Sequence, residues 1–108
     1  MFSYQLDRQA KLRVTVEHTD ISGKRHKGSF SARMNMIPRD EAKALVDRGE
    51  PLIDVILDGI YPDEWDLTDK AGKPITDPDL IREAVLNDMK LAGAVSDAYW
   101  SEVNSKKP

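Results

Sequence analysis

Cysteine is missing from all 108 residues, which removes disulfide scaffolds, thiolate zinc sites and cysteine nucleophiles together. No apolar run approaches the roughly 20 residues of a membrane span. The start, MFSYQLDRQAK, has no signal-peptide core. Histidine is scarce, at positions 18 and 26 only, and no nucleophile-elbow, Walker, dinucleotide-fingerprint or HExxH pattern occurs. These absences leave one soluble cytoplasmic domain over 1–108, able to bury roughly two-thirds of its unfolded surface around a modest core. A chain this short hardly encloses a shaped catalytic pocket. No enzyme activity, catalytic residue, cofactor or metal is expected.

A basic excess is missing too, since the net charge is −3. The charge is split along the chain. Residues 1–36 carry seven Lys/Arg against three Asp/Glu, and residues 37–108 carry nine against sixteen. Such a division bears on association and solubility rather than on fold. The basic run Lys24-Arg25-His26-Lys27 resembles a phosphate-touching hairpin tip, yet no basic recognition helix accompanies it. Nucleic acid and membrane are therefore not expected partners. The acidic residues Asp58, Asp63, Glu64, Asp66 and Asp69 lack the alternate spacing and central glycine of a calcium loop.

The patterning predicts an α+β domain, with an N-terminal antiparallel β-hairpin followed by three or four short α-helices. Apolar residues fall on even positions at Phe2, Tyr4 and Leu6, then at Ala10, Leu12, Val14 and Val16, with Lys11, Arg13, Thr15 and Glu17 between the latter. Phe30, Ala32, Met34 and Met36 repeat that period of two. Asp20-Ile21-Ser22-Gly23 suits a type I turn closed by a left-handed glycine. That turn pairs 11–20 with 25–36, sets Val14 opposite Phe30 and Leu12 opposite Ala32, and makes His18 and His26 cross-strand neighbours.

The helical part is expected over 38–103. Pro38 suits the first position of a helix with Ala42, Leu45 and Val46 as its stripe and Gly49 at its end. Pro51 opens a short helix over Leu52–Ile60 that is apolar nearly all round, hence deeply buried or a contact surface. Residues 61–76 read as an acidic connector with a turn at Lys70-Ala71-Gly72. Thr76 or Asp77 caps a third helix with Ile81, Ala84, Val85 and Met89 inward, flanked by Leu80. A last helix follows with Leu91, Ala94, Val95, Ala98, Tyr99 and Val103 as its face, and the tail 104–108 frays. Adjacent residues on a helix diverge by about 100°. Tyr99 therefore belongs to the core, and Trp100 lies at the stripe's edge. Trp100, and likewise Trp65 amid its acidic neighbours, either caps a core or anchors an interface.

The order of features resembles the small tail assembly chaperones of long-tailed bacteriophages and prophages. It comprises Arg13–Val16, then Phe30–Arg33, the Pro-led helix Pro38–Arg48 and the apolar segment Leu52–Gly59. Trp65, the acidic turn Asp69–Pro74 and a helix ending in Ala98-Tyr99 complete it. The likeness covers roughly 10–103. It departs in one respect: many such proteins place tryptophan directly after the glycine, whereas here Ile60 follows Gly59 and Trp65 comes later. The resemblance implies a non-enzymatic partner of the tape measure protein, absent from the mature virion. Such a protein keeps its client soluble, associates with its own copies and helps recruit tail tube protein. It also implies a longer, frameshifted product. The slip needs a run of repeated bases, which consecutive adenines encoding Lys106-Lys107 would supply, and an overlapping open frame beyond it. A solvated basic tail is the plainer alternative. Candidate contact residues are Leu57, Ile60, Trp65 and Trp100, and the charge split allows weak head-to-tail stacking. The alternative is a phage or bacterial adaptor or inhibitor that adds its hairpin edge to one partner.

Overall fold

The computed structural model describes residues 1–104. The expected slip site at Lys106-Lys107, and all of the expected frayed tail beyond Asn104, lie outside the described residues. Strands β1 (Gln9–Thr19) and β2 (Arg25–Asn35) form the hairpin, followed by helices α1 (Arg39–Asp47) and α2 (Leu52–Ile56). Strand β3 (Leu57–Ile60), a 3-10 turn (Pro62–Glu64) and helices α3 (Pro78–Asn87) and α4 (Met89–Val103) complete the order. The domain is α+β, with a three-stranded antiparallel sheet in the order β1-β2-β3.

The hairpin follows the predicted register. Val14 faces Phe30, Leu12 faces Ala32, and His18 faces His26. The Asp20 carboxylate accepts the N–H groups of Ser22 and Lys24 at 2.9 and 3.0 Å, and Gly23 takes φ 89°. The even-numbered alternation at Phe2, Tyr4 and Leu6 is not part of a strand, and β1 begins at Gln9. Asp7, at φ 56°, turns the chain before β1, and Phe2, Tyr4 and Leu6 are exposed.

The larger correction concerns Leu52–Ile60. Only one helical turn forms, and the segment becomes β3 from Leu57 onward. An all-round apolar helix can bury only one stripe, whereas a turn followed by a strand buries Ile56, Leu57 and Ile60 together. Strand β3 pairs Ile60 with Ala32 and Leu57 with Met34, with an irregularity between Arg33 and Met34. A side chain on Gly59 would meet the Arg33 guanidinium at 2.9 Å, so glycine lets that arginine cross to Asp58. Arg82 of α3 donates to the Leu57 and Asp54 carbonyls at 3.0 and 2.8 Å. Those are carbonyls that the short α2 leaves without helical partners.

Helix α1 begins one residue later than expected, with Pro38 outside it. Gly49 closes it at φ 71°, its N–H bonding the Val46 carbonyl. Leu45 is buried, but Val46 of the expected stripe is exposed. Asp77 caps α3 by accepting the Asp79 N–H. Met89, expected inside that helix face, instead starts α4 in the open, after Asp88 caps α4 through the Leu91 N–H. Helix α4 packs on β1 and α3. Val14, Phe30, Ala32 and Met34 of the sheet meet Ile81, Val85, Val95 and Tyr99 of these helices in one core. No helix among the described residues is long and apolar enough to cross a membrane.

Candidate functional site

Of the four candidate contact residues, two present no surface. Leu57 is 1% and Ile60 5% exposed, both inside the core. Their spacing was read as helical. A regular strand would send residues three apart to opposite faces, and the irregularity opposite Arg33 and Met34 turns both inward instead. Trp65 stacks on Phe30 with ring centroids 4.1 Å apart, so it covers the sheet's even face near the hairpin tip. Its indole N–H is buried without a hydrogen-bond partner among the described residues. The flat stacking explains how a tryptophan in an acidic connector becomes half-buried. Beside it lies a cleft of about 630 Å³ lined by Val16, His18, Phe30, Leu67 and Leu91 among others.

The connector is tied down on the sheet's other face. Glu64 accepts the Ser31 N–H and hydroxyl at 3.1 and 3.2 Å and an Arg13 N–H at 3.0 Å. The Ser31 hydroxyl holds the Glu64 carboxyl below its ordinary range, with Lys11 and Arg13 adding their charge. This contact makes the 3-10 turn a cover for Ser31, a buried polar residue of β2.

Trp100 is different. It is 40% exposed and meets Tyr99 edge-on at 5.4 Å. It stands in an open groove of about 490 Å³ between α1 and α4, with Ile37, Ala42, Val46, Tyr99 and Val103, while Arg39 and Lys43 flank the groove. Val46 is 61% and Val103 49% exposed, so the groove carries apolar side chains that its own core does not cover. Burial raises the Tyr99 phenol above its ordinary value, against a hydrogen bond with the Ile37 backbone. Tyr99 therefore forms a neutral floor.

A second hollow of about 390 Å³ continues from this groove, sharing Ile37, Tyr99 and Val103 and adding Tyr4 and Leu6. The N-terminal segment is held there by Arg8, which lies 5.1 Å over the Tyr4 ring and pairs with Glu102 at 3.4 Å. Sequence reasoning placed Val46 and Val103 on the apolar stripes of their helices and noted only the even-numbered alternation of Tyr4 and Leu6. The available signal was their distance from the centre of each periodic stripe.

At the hairpin tip the His18 and His26 rings stack at 5.1 Å, and His26 Nε2 lies 2.7 Å from the Asp20 carboxylate. That bond, followed by the Ser22 side chain, holds the Asp20 carboxyl well below its ordinary range. No group of three or more His, Cys, Asp or Glu among the described residues is placed to hold a metal ion. Compared with family models, curated proteins and solved structures, the chain matches none.

Proposed function

We propose that this chain is a non-enzymatic tail assembly chaperone of a long-tailed bacteriophage or prophage, working in the bacterial host cytoplasm. In this reading it holds the tape measure protein soluble, associates with its own copies and helps tail tube protein assemble. The observation that carries the reading is the groove between α1 and α4, with its apolar floor, half-exposed Trp100 and flanking Arg39 and Lys43. An amphipathic helix docks through anchors one turn apart, and tryptophan is enriched among the residues that dominate such contacts. A long helical client presents apolar stripes along its length and aggregates when they stay bare. Arg39 suits an acidic residue flanking such a stripe, while Lys43 already pairs with Asp47 of its own helix at 2.9 Å.

The test is coexpression with the long helical tail protein encoded in the same genome. The client should stay soluble with the wild-type chain. Trp100→Ala and Val46→Asp should each weaken client binding by about tenfold or more, since anchor truncations reach that size. Both positions are exposed, so circular dichroism and the melting temperature should change little. A client equally soluble with folded variants of both kinds would remove this reading.

A further inference from the structure

Strand β1 is an outer strand, and its free edge runs for eleven residues. The two ends of the hairpin set the phase of its ladder. The Met36 N–H donates to the Arg8 carbonyl at 2.9 Å, and the Asp20 N–H donates to the Lys24 carbonyl at 3.0 Å. Antiparallel residues alternate between facing their partner strand and facing away. Even-numbered residues of β1 therefore direct their backbone groups to β2. Gln9, Lys11, Arg13, Thr15, Glu17 and Thr19 turn theirs outward.

Sheets normally protect such an edge with proline, a bulge or charges standing over it. Strand β1 contains no proline, and its pairing with β2 runs without irregularity. Its cations fold onto its own sheet: Lys11 lies 4.5 Å over the Tyr61 ring, and Arg13 bonds Ser31 and Glu64 at 3.1 and 3.0 Å. The side toward α4 is also open. Hollows of about 400 and 360 Å³ meet at Thr15, between the strand and Gly93, Ala94 and Ala98. Half-buried Leu12 and Val16 line them, one in each.

We infer that this edge pairs with the same edge of a second copy, antiparallel about a two-fold axis beside Val14. The result is one six-stranded sheet. In that register all of β1 is paired, and every outward N–H meets a carbonyl. Leu12 faces the partner's Val16, and Val14 faces its own copy, toward α4. Lys11 faces the partner's Glu17 on the other side of the sheet, twice by symmetry. Arg13 faces the partner's Thr15. Registers centred on Arg13 or Glu17 instead set like charges opposite each other, which is unfavourable. One centred on Thr15 pairs Arg13 with Glu17 but leaves Gln9 and Ala10 unpaired and sets Leu12 opposite His18. The occupant is a second copy because the edge is complementary to itself: Lys11 and Glu17 stand at equal distances on either side of Val14. Glu17, which bonds Arg25 of its own hairpin at 2.9 Å, would be shared with the partner's Lys11. A two-fold contact closes on itself at a dimer, unlike the open stacking that the charge split allows. It supplies the self-association in the proposed function, yet it stands on the free edge alone, away from the Trp100 groove.

Sedimentation equilibrium on the full chain over a wide concentration range tests this. A monomer–dimer equilibrium is expected. Thr15→Pro removes one outward N–H while leaving the β1–β2 bonds in place, so it should give a folded monomer. Lys11→Glu or Glu17→Lys alone should weaken the dimer by about tenfold, and the two together should restore it. A wild-type chain that stays monomeric throughout would overturn the inference. So would single reversals without effect, or a double variant as weak as either single one. If Thr15→Pro fails to fold, the charge reversals decide. Client solubility measured on the same variants keeps the two readings apart. A monomeric variant that still holds the client refutes only the need for the dimer in that role, and a wild-type dimer that ignores the client refutes only the chaperone reading.

Discussion

Two turns of this chain share the pattern Asp-x-x-Gly-Lys, at 20–24 and at 69–73. In both, the aspartate side chain accepts two N–H groups, from Ser22 and Lys24 at 2.9 and 3.0 Å and from Ala71 and Lys73 at 2.8 and 3.0 Å. In both, the glycine is left-handed, at φ 89° and 82°, and its N–H bonds the aspartate carbonyl at 3.0 Å. The first turn joins two eleven-residue strands, whereas the second is followed by a single bridge, Thr68 to Pro74, and one further bond from the Ile75 N–H to the Leu67 carbonyl. The turn is therefore a local object, and the length of the ladder is decided by its flanks. Around 20–24 the flanks alternate apolar and polar residues over a core. Around 69–73 the chain reaches Asp77, which caps α3, before a longer ladder can form. The outer edges differ too, since Pro74 guards one and β1 has no proline.

The comparison is broken hardest at the aromatic stack that joins the two regions. Phe30 is fully buried, so Phe30→Ala should cost about 3–5 kcal/mol in a denaturant melt. Trp65→Ala removes the other ring of the stack, but from a half-exposed site, and should cost about 1–2 kcal/mol. Equal losses would mean that the connector is as deeply built into the core as the hairpin.

A smaller effect sharpens the contrast between the turns. Gly23→Ala and Gly72→Ala each force a left-handed alanine, at about 1–2 kcal/mol. Hydrogen exchange should separate them. The first variant should loosen the tip while the Val14–Phe30 region stays protected, and the second should expose the Ile75 N–H. Similar protection at Ile75 in both variants would show that the second turn is held from outside.

The smallest effect concerns acid. The folded-state values of Asp20 and Glu64 are both depressed, so their contributions are complete above the ordinary carboxylate range and fade as pH falls through the folded values. The amide signals of Ser22, Lys24 and Ser31 should hold through the ordinary carboxylate range and shift only as the pH falls below it, when these bonds are lost. Asp20→Asn should flatten the response at the tip, and Glu64→Gln the response at Ser31. Unchanged titrations in both variants would assign the acid response to other carboxylates.

Much of the hairpin was legible because its information is local. Turn chemistry at Asp20 and Gly23 and the alternation around Val14 agree on one register. Tyr99 and Trp100 were separable because a helix turns by about 100° per residue. Trp65 was open to two readings, and only its stack on Phe30 chooses the covering role. The groove at Trp100 was half legible: the tryptophan stood out, but Val46 and Val103 read as core.

By itself the sequence determined the α+β order, the hairpin's register and a cap for α3 at Thr76 or Asp77, between which the structure takes Asp77, since each rests on neighbours within a few residues or on one uninterrupted period. Tertiary structure decided the split of Leu52–Ile60 into a turn and a strand. Local periodicity could not decide it, because the segment is apolar at both periods. The deciding groups are distant in the chain: the open edge of β2 at Ala32 and Met34, and Arg82 reaching the carbonyls of Asp54 and Leu57. Tertiary structure likewise decided which apolar residues stay uncovered, because a stripe's outermost members are buried only if a neighbouring element happens to reach them. At Val46, Trp100 and Val103, no element among the described residues covers them fully.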